Sequence, residues 1–210
     1  AHHCGLILNG ARVVIQGFGS VGKHAARFLA QQGAILVAAA DSQGTVYDPN
    51  GLDIELLCQL KDDGHSVTAY PKGQYLSKDA VIDIACEIWI PAARPDVINE
   101  QNVDRLHTKL ILQGANIPIT YAAENSLHQR GVLCIPDFIA NAGGVICAAM
   151  EYQKVPEGIV FQIIAEKLRH NTESILHTMH NKQILPRAAA VEMAVSRIKT
   201  AMNYKRWSIF

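Results

Sequence analysis

Arg12-Val-Val-Ile-Gln-Gly17-Phe-Gly-Ser-Val-Gly22 is the stretch that decides how this chain is read. Arg12 to Gln16 is a short, branched apolar run of strand type. From Ser20 to Gln32, Val21, Ala25, Phe28 and Leu29 recur at i, i+4, i+7 and i+8, the stripe of a helix. A strand that passes into a helix through G-x-G-x-x-G is a phosphate-binding turn. Gly17 permits the tight turn, and Gly19 lets a pyrophosphate approach the backbone. Gly22 lets helix and strand pack closely, and the helix start points free N–H groups at the anion. Phe18, Ser20 and Val21 fill the same turn and are candidate cofactor contacts with the glycines. The second strand ends at Asp41, 19 residues past Gly22, where a carboxylate can accept hydrogen bonds from ribose hydroxyls, with Ser42 beside it. No Arg or Lys accompanies Asp41-Ser-Gln-Gly44, and an acid repels a 2′-phosphate. The expected cofactor is therefore NAD, with NADP as the alternative.

The same grammar runs outward from this stretch. Ala34 to Ala40, Cys86 to Ile90, Leu110 to Gln113 and Val132 to Ile135 are further strand candidates. Each is apolar almost throughout, as parallel strands covered on both faces are. The Pro and Asn-Gly chemistry of Asp48-Pro-Asn-Gly51 predicts a turn closing a small hairpin before a helix from about Asp53. Ser77 and Asn99 are candidate helix caps, and Thr120 to Arg130 is a crossover helix stopped by Gly131. Beyond Tyr152 only helical spacing is left. Val160, Ile163, Ile164, Leu168, Ile175, Leu176 and Met179 form one stripe, and Val191, Val195, Ile198 and Met202 a second. The expected architecture is α/β, a doubly wound, mostly parallel Rossmann-like sheet domain with a C-terminal helical hairpin. It forms a single domain over 1–210, with the core at about 10–152 and the helical tail at 153–210.

Open α/β sheets bind ligands beyond the carboxyl ends of their strands. Ala92 and Ala93 follow the third large strand, Gly114 and Asn116 the fourth, and Asn141-Ala-Gly-Gly-Val145 the fifth. All three segments fall on that edge.

Composition narrows the classes. The chain has 210 residues, 49% of them hydrophobic, with 19 basic side chains against 19 acidic. That supports a substantial core and supplies no basic face for nucleic acid. Its longest apolar runs fall far short of the roughly 20 residues a membrane-spanning helix needs. No export signal is visible at the start, so a cytoplasmic location is expected. The five cysteines are scattered without a C-x-x-C pair and read as small buried hydrophobes; His2-His3-Cys4 lies at a chain end, and no metal site is expected.

Gly10-Ala-Arg-Val-Val-Ile-Gln-Gly-Phe-Gly-Ser-Val-Gly22, Asp41-Ser42, Ile90-Pro-Ala-Ala93, Gln113-Gly-Ala-Asn116 and Pro136-Asp-Phe-Ile-Ala-Asn-Ala-Gly-Gly-Val145 together resemble the coenzyme-binding domain of the glutamate, leucine, phenylalanine and valine dehydrogenases. The resemblance covers about residues 5 to 152. It implies reversible oxidative deamination of an L-amino acid to a 2-oxo acid and ammonia, with hydride passing to NAD or NADP, in a homo-oligomer. By position, Ser20 stands where the family usually has an asparagine at the pyrophosphate. Asn116 and Asn141 stand where family asparagines approach the nicotinamide. Ala148 stands where many glutamate enzymes carry a serine that contacts the substrate's side-chain carboxylate, which leaves branched-chain or aromatic substrates open.

The family's substrate domain precedes this one and supplies the lysines and aspartate of acid/base chemistry. No such segment occurs in these residues, so no catalytic residue is assigned and the fragment alone is expected to be inactive. Lys154 and Lys167 read as solvated helix positions. Two other readings are a non-catalytic nucleotide-binding or assembly module, its apolar tail (Trp207, Ile209, Phe210) seeking cover, and a hydroxy-acid oxidoreductase. Asn141-Ala-Gly-Gly-Val145 argues against the latter.

Overall fold

The computed structural model describes residues 1–207, with side chains described to residue 204. Ile209 and Phe210 of the apolar tail lie outside the described residues, as does the Trp207 side chain. The chain divides into two compact units, Ala1–Asp137 and Phe138–Phe210. The boundary falls ahead of residue 152, where the sequence pattern changes.

The first unit is built on one sheet of seven strands: β1 Arg12–Gln16, β2 Ile35–Ala40, β3 Thr45–Tyr47, β4 Gln74–Leu76, β5 Ile88–Pro91, β6 Leu110–Leu112 and β7 Leu133–Ile135. Their spatial order is β4-β3-β2-β1-β5-β6-β7. β2, β1, β5, β6 and β7 run parallel, and β3 and β4 are added antiparallel at one edge. Consecutive strand residues face opposite sides, yet Val13, Val14 and Ile15 are all buried, so both faces of the sheet are covered. Trp89, Val14, Ala38, Ile111, Leu106 and Leu127 belong to the core cluster on this sheet. Cys58, Cys86 and Cys134 are buried, Cys4 and Cys147 half-buried.

Helix α1, Ser20–Gln31, returns the chain from β1 to β2. The expected stripe is not its packed face. Val21 and Phe28 are exposed, and Gly22 and Ala26 are the buried residues. Small side chains win because the helix lies very close to the glycine turn: a Cβ on Gly22 would stand 2.2 Å from Gly17 O. Helix α2, Ile54–Asp62, starts where Asp53 accepts a hydrogen bond from the Leu56 amide.

The expected hairpin exists, but its turn is Asp41–Gly44, closed by Asp41 N donating to Gly44 O at 2.9 Å. At Asp48-Pro-Asn-Gly51, the Asp48 carboxylate accepts the Asn50 amide and turns the chain from β3 toward α2. Ser77 precedes a short 3₁₀ turn, Lys78–Asp83, without a side-chain cap bond. Asn99 accepts the Gln101 amide in a local turn, and Asn102 precedes the 3₁₀ turn Val103–Arg105. Helix α3, Tyr121–Gln129, is capped by Thr120, whose hydroxyl accepts the Ala123 amide.

The second unit is helical after α4, Asp137–Ala140: α5 Gly143–Tyr152, α6 Glu157–Lys182 and α7 Pro186–Trp207. Helices α6 and α7 form the hairpin, with Gln183 in left-handed conformation after α6. The α6 stripe is at least half-buried, with Val160, Ile175 and Leu176 deepest. The α7 stripe is not covered. Val191, Val195, Ile198 and Met202 are exposed, and Ala189 and Ala190 are packed instead. Periodicity identifies a shared face, not the face that is covered. Among the described residues, no helix is long and apolar enough to cross a membrane.

Candidate functional site

The strand order reverses between β1 and β5, and open sheets leave a crevice at the carboxyl ends there. Gln16 and Pro91 end these strands in register. The two exits are stitched together: Ala92 N donates to Gln16 O at 2.7 Å, and Ala115 N donates to Pro91 O at 2.8 Å. Gly17, at φ +97°, lies directly beneath the crossing chain. A Cβ there would meet Ala92 C and Ala93 N at 2.7 Å. Only glycine fits, both for its conformation and for this contact.

A cleft of about 480 Å³ opens at this crossing. Of the sequence-assigned positions, Gly17, Phe18, Gly19, Asp41, Ser42, Ala92 and Ala93 line it. Phe18 contributes backbone, because its ring is buried. Ser20 and Val21 are exposed at the first turn of α1, and Gly22 is packed below them. Gly114 lies beside this turn, since a Cβ on it would stand 3.1 Å from Val21 Cγ1. Asn116 is exposed in the loop after β6. Asn141 and Ala148 belong to the second unit, half-buried before α5 and exposed on it. Lys154 and Lys167 are exposed, as expected, but only Lys167 is on a helix; Lys154 sits in the turn between α5 and α6 at φ +57°.

Two features of the cleft suit an anionic nucleotide. Gly19, the residue before α1, has nothing within 4 Å of where its Cβ would be, and no side chain caps the helix. The first-turn N–H groups of α1 are thus left for an anion. Gln16 Oε1, at the cleft, is a buried acceptor without a hydrogen-bond partner. A buried acceptor left unmade costs about 1–3 kcal/mol, which a ligand donor or a water can recover. A larger, open hollow of about 630 Å³, lined by Arg27, Leu36, Asn50 and Glu55, lies at the amino end of β2, away from the glycine turn.

Asp41, which local sequence places without a basic neighbour, has one. Lys61, 20 residues further on at the last turn of α2, places its Nζ 2.9 Å from Asp41 Oδ2. Asp41 also accepts from Ser66 Oγ, Val67 N and Gln43 N, each at 2.9 Å. Burial pushes its carboxyl up, but the Lys61 ammonium, the two amides and the Ser66 hydroxyl outweigh it and hold the group at about 2. A basic residue therefore does accompany this acid. Lys78 and Arg94 line the cleft as well, with Asp79 among them. Nothing in the local pattern around Asp41 announced these residues, because they come from other elements. A buried pair supporting the edge was also missed: Gln113 Nε2 donates to Glu124 Oε1 at 3.0 Å, holding the residue just before Gly114.

A family profile described as Glutamate/Leucine/Phenylalanine/Valine dehydrogenase matches residues 1–206. The chain belongs to that family. Within the glutamate/leucine/phenylalanine/valine dehydrogenases, it is 37% identical to a glutamate dehydrogenase of Aeropyrum pernix, over 95% of this chain and 50% of that protein. It is 36% identical to an NADP-specific glutamate dehydrogenase of Saccharolobus shibatae, over 93% of this chain and 48% of the relative. An NAD-specific glutamate dehydrogenase of Staphylococcus aureus is 34% identical, over 96% and 50% respectively. The hetero-hexameric glutamate dehydrogenase of Thermus thermophilus, in its Leu-bound form, superposes with a TM-score of 0.87 at 25% identity, covering 98% of this chain and 50% of that one. The chain thus spans about half the length of the dehydrogenases it matches.

Proposed function

We propose that this chain is the nicotinamide-nucleotide-binding half of an amino-acid dehydrogenase that reversibly deaminates an L-amino acid to a 2-oxo acid and ammonia. One observation carries the reading. The space beside Gly19, under the uncapped start of α1, lies in a cleft walled by the Ala92–Ala93 backbone. That is where a pyrophosphate meets helix N–H groups and close backbone. When bound, the nicotinamide accepts or returns the hydride. The chain's own residues bind and orient: the Gly17–Gly22 turn holds the pyrophosphate, and Asp41 with Ser42 shapes the adenosine end. Gly114 and Asn116 serve the nicotinamide end, the asparagine amide both donating and accepting. The groups that hold the amino acid and take its ammonium proton would come from the substrate domain that the family resemblance implies.

Glutamate is the substrate named for the relatives. Ala148 cannot donate a hydrogen bond to a side-chain carboxylate, which supports an apolar amino acid as the alternative. Titration of the chain with NADH, followed by nicotinamide fluorescence and by calorimetry, tests the reading: saturable binding is expected, and its absence for NADH and NADPH alike would end it. A homo-oligomeric or assembly role is supported by the uncovered α7 stripe of Val191, Val195, Ile198 and Met202. Light scattering should show self-association, and a strictly monomeric chain counts against it.

A further inference from the structure

Asp41 has little left with which to read a ribose. A carboxylate offers about four lone-pair sites, and four donors of this chain occupy them: Gln43 N and Ser66 Oγ on Oδ1, Lys61 Nζ and Val67 N on Oδ2. A ribose hydroxyl would have to displace one of these bonds. Lys61 is in the opposite position. Its ammonium has three donors and gives one to Asp41. Its side chain keeps 23% exposure and lines the cleft beside Asp41 and Ser42. At the end of β2, the unspent hydrogen-bonding capacity is therefore cationic.

We propose that Lys61 sets cofactor specificity: its ammonium, held in place by Asp41, receives the 2′-phosphate of an adenosine ribose, so that the cleft accepts the phosphorylated nicotinamide cofactor about as readily as the unphosphorylated one. This rests on the reading of the cleft as a nicotinamide-nucleotide site. The Asp41 charge does not forbid it, because the carboxylate is already compensated by an ammonium, two amides and a hydroxyl. Lys78 and Arg94 on the same cleft add positive charge against Asp79. Lysine is a recurrent phosphate ligand, acting as a point charge that tolerates varied geometry.

The test is equilibrium binding to the chain of NADH and NADPH, and of the fragments 5′-AMP and 2′,5′-ADP, which report the adenosine end alone. The wild type should bind NADPH no more than threefold more weakly than NADH, and 2′,5′-ADP at least as tightly as 5′-AMP. Lys61→Gln should weaken NADPH and 2′,5′-ADP by about tenfold, the effect of losing one charge-assisted bond, while NADH and 5′-AMP shift less than threefold. Lys61→Arg should keep the wild-type ratio. A wild-type preference for NADH beyond threefold, or a Lys61→Gln change equal for both cofactors, would overturn the assignment. If Lys61→Gln leaves Asp41 too poorly compensated to fold, the Asp41→Asn, Lys61→Gln pair removes both charges, and the same ratios are read there. Binding of neither cofactor to the wild type would instead bring down the reading of the cleft, and this assignment with it.

Discussion

Asp137 Oδ2 accepts the backbone N–H of Ile117 at 2.8 Å, and Ile117 is held at φ +42°, a left-handed conformation that β-branched residues rarely adopt. The carboxylate, buried after β7, thereby shapes the loop that follows β6 and carries Gly114 and Asn116. Strain of about 1–3 kcal/mol at such a residue persists only where the surroundings impose it. Asp137→Ala should cost about 1–3 kcal/mol in urea unfolding, the cost of unmaking a buried bond to a charged group. Ile117→Gly relieves the strain against a comparable gain in unfolded-state freedom, so stability should change by less than about 1 kcal/mol. A larger loss in the glycine variant would show that the conformation is not strained.

Three glycines of the turn should respond differently to alanine. Gly17→Ala drives a Cβ to 2.7 Å from the Ala92–Ala93 backbone at a positive φ, and Gly22→Ala to 2.2 Å from Gly17 O. Each should destabilise by about 2–4 kcal/mol. Gly19→Ala meets nothing within 4 Å at φ −91°, so thermal stability should hold within about 0.5 kcal/mol. Its methyl group would nevertheless enter the space assigned to the pyrophosphate, and NADH affinity should fall about tenfold or more. A Gly19→Ala variant with wild-type affinity would argue against that placement.

Acid should unfold the chain partly through Asp41. Its carboxyl lies at about 2 when folded, below its ordinary 3.8. The stabilisation from this depressed group is fully present above 3.8 and is lost as pH falls from there through 2. Allowing for screening, it amounts to about 1–2 kcal/mol. Denaturant midpoints measured from pH 6 down to pH 2 should fall less steeply for Asp41→Asn than for the wild type. Parallel slopes would show that Asp41 is not held in this network.

Gln16 offers a stability–function contrast. Its Oε1 is buried without a partner, so Gln16→Leu should leave the unliganded chain equally stable or raise its stability by up to about 1 kcal/mol. If a bound cofactor supplies the missing donor, the same variant should bind NADH more weakly. A stabilised variant with unchanged affinity would mean that the cofactor does not donate to this oxygen.

Much of this architecture is legible in the chain itself because its causes are local. The branched apolar runs at 12–16, 34–40, 86–90, 110–113 and 132–135 overlie the five parallel strands within two residues. The glycine spacing at 17, 19 and 22 marks the strand-to-helix turn. Steric and hydrogen-bonding demands of that kind act over a few residues, so a short window contains them. The path of Ala92–Ala93 over Gly17, the docking of Lys61 on Asp41, the clamp of Asp137 on Ile117 and the exposure of the α7 stripe were settled only when the elements came together. Close approach, charge pairing and burial depend on distance through space. A separation of 20 residues along the chain hides that distance until the sheet assembles.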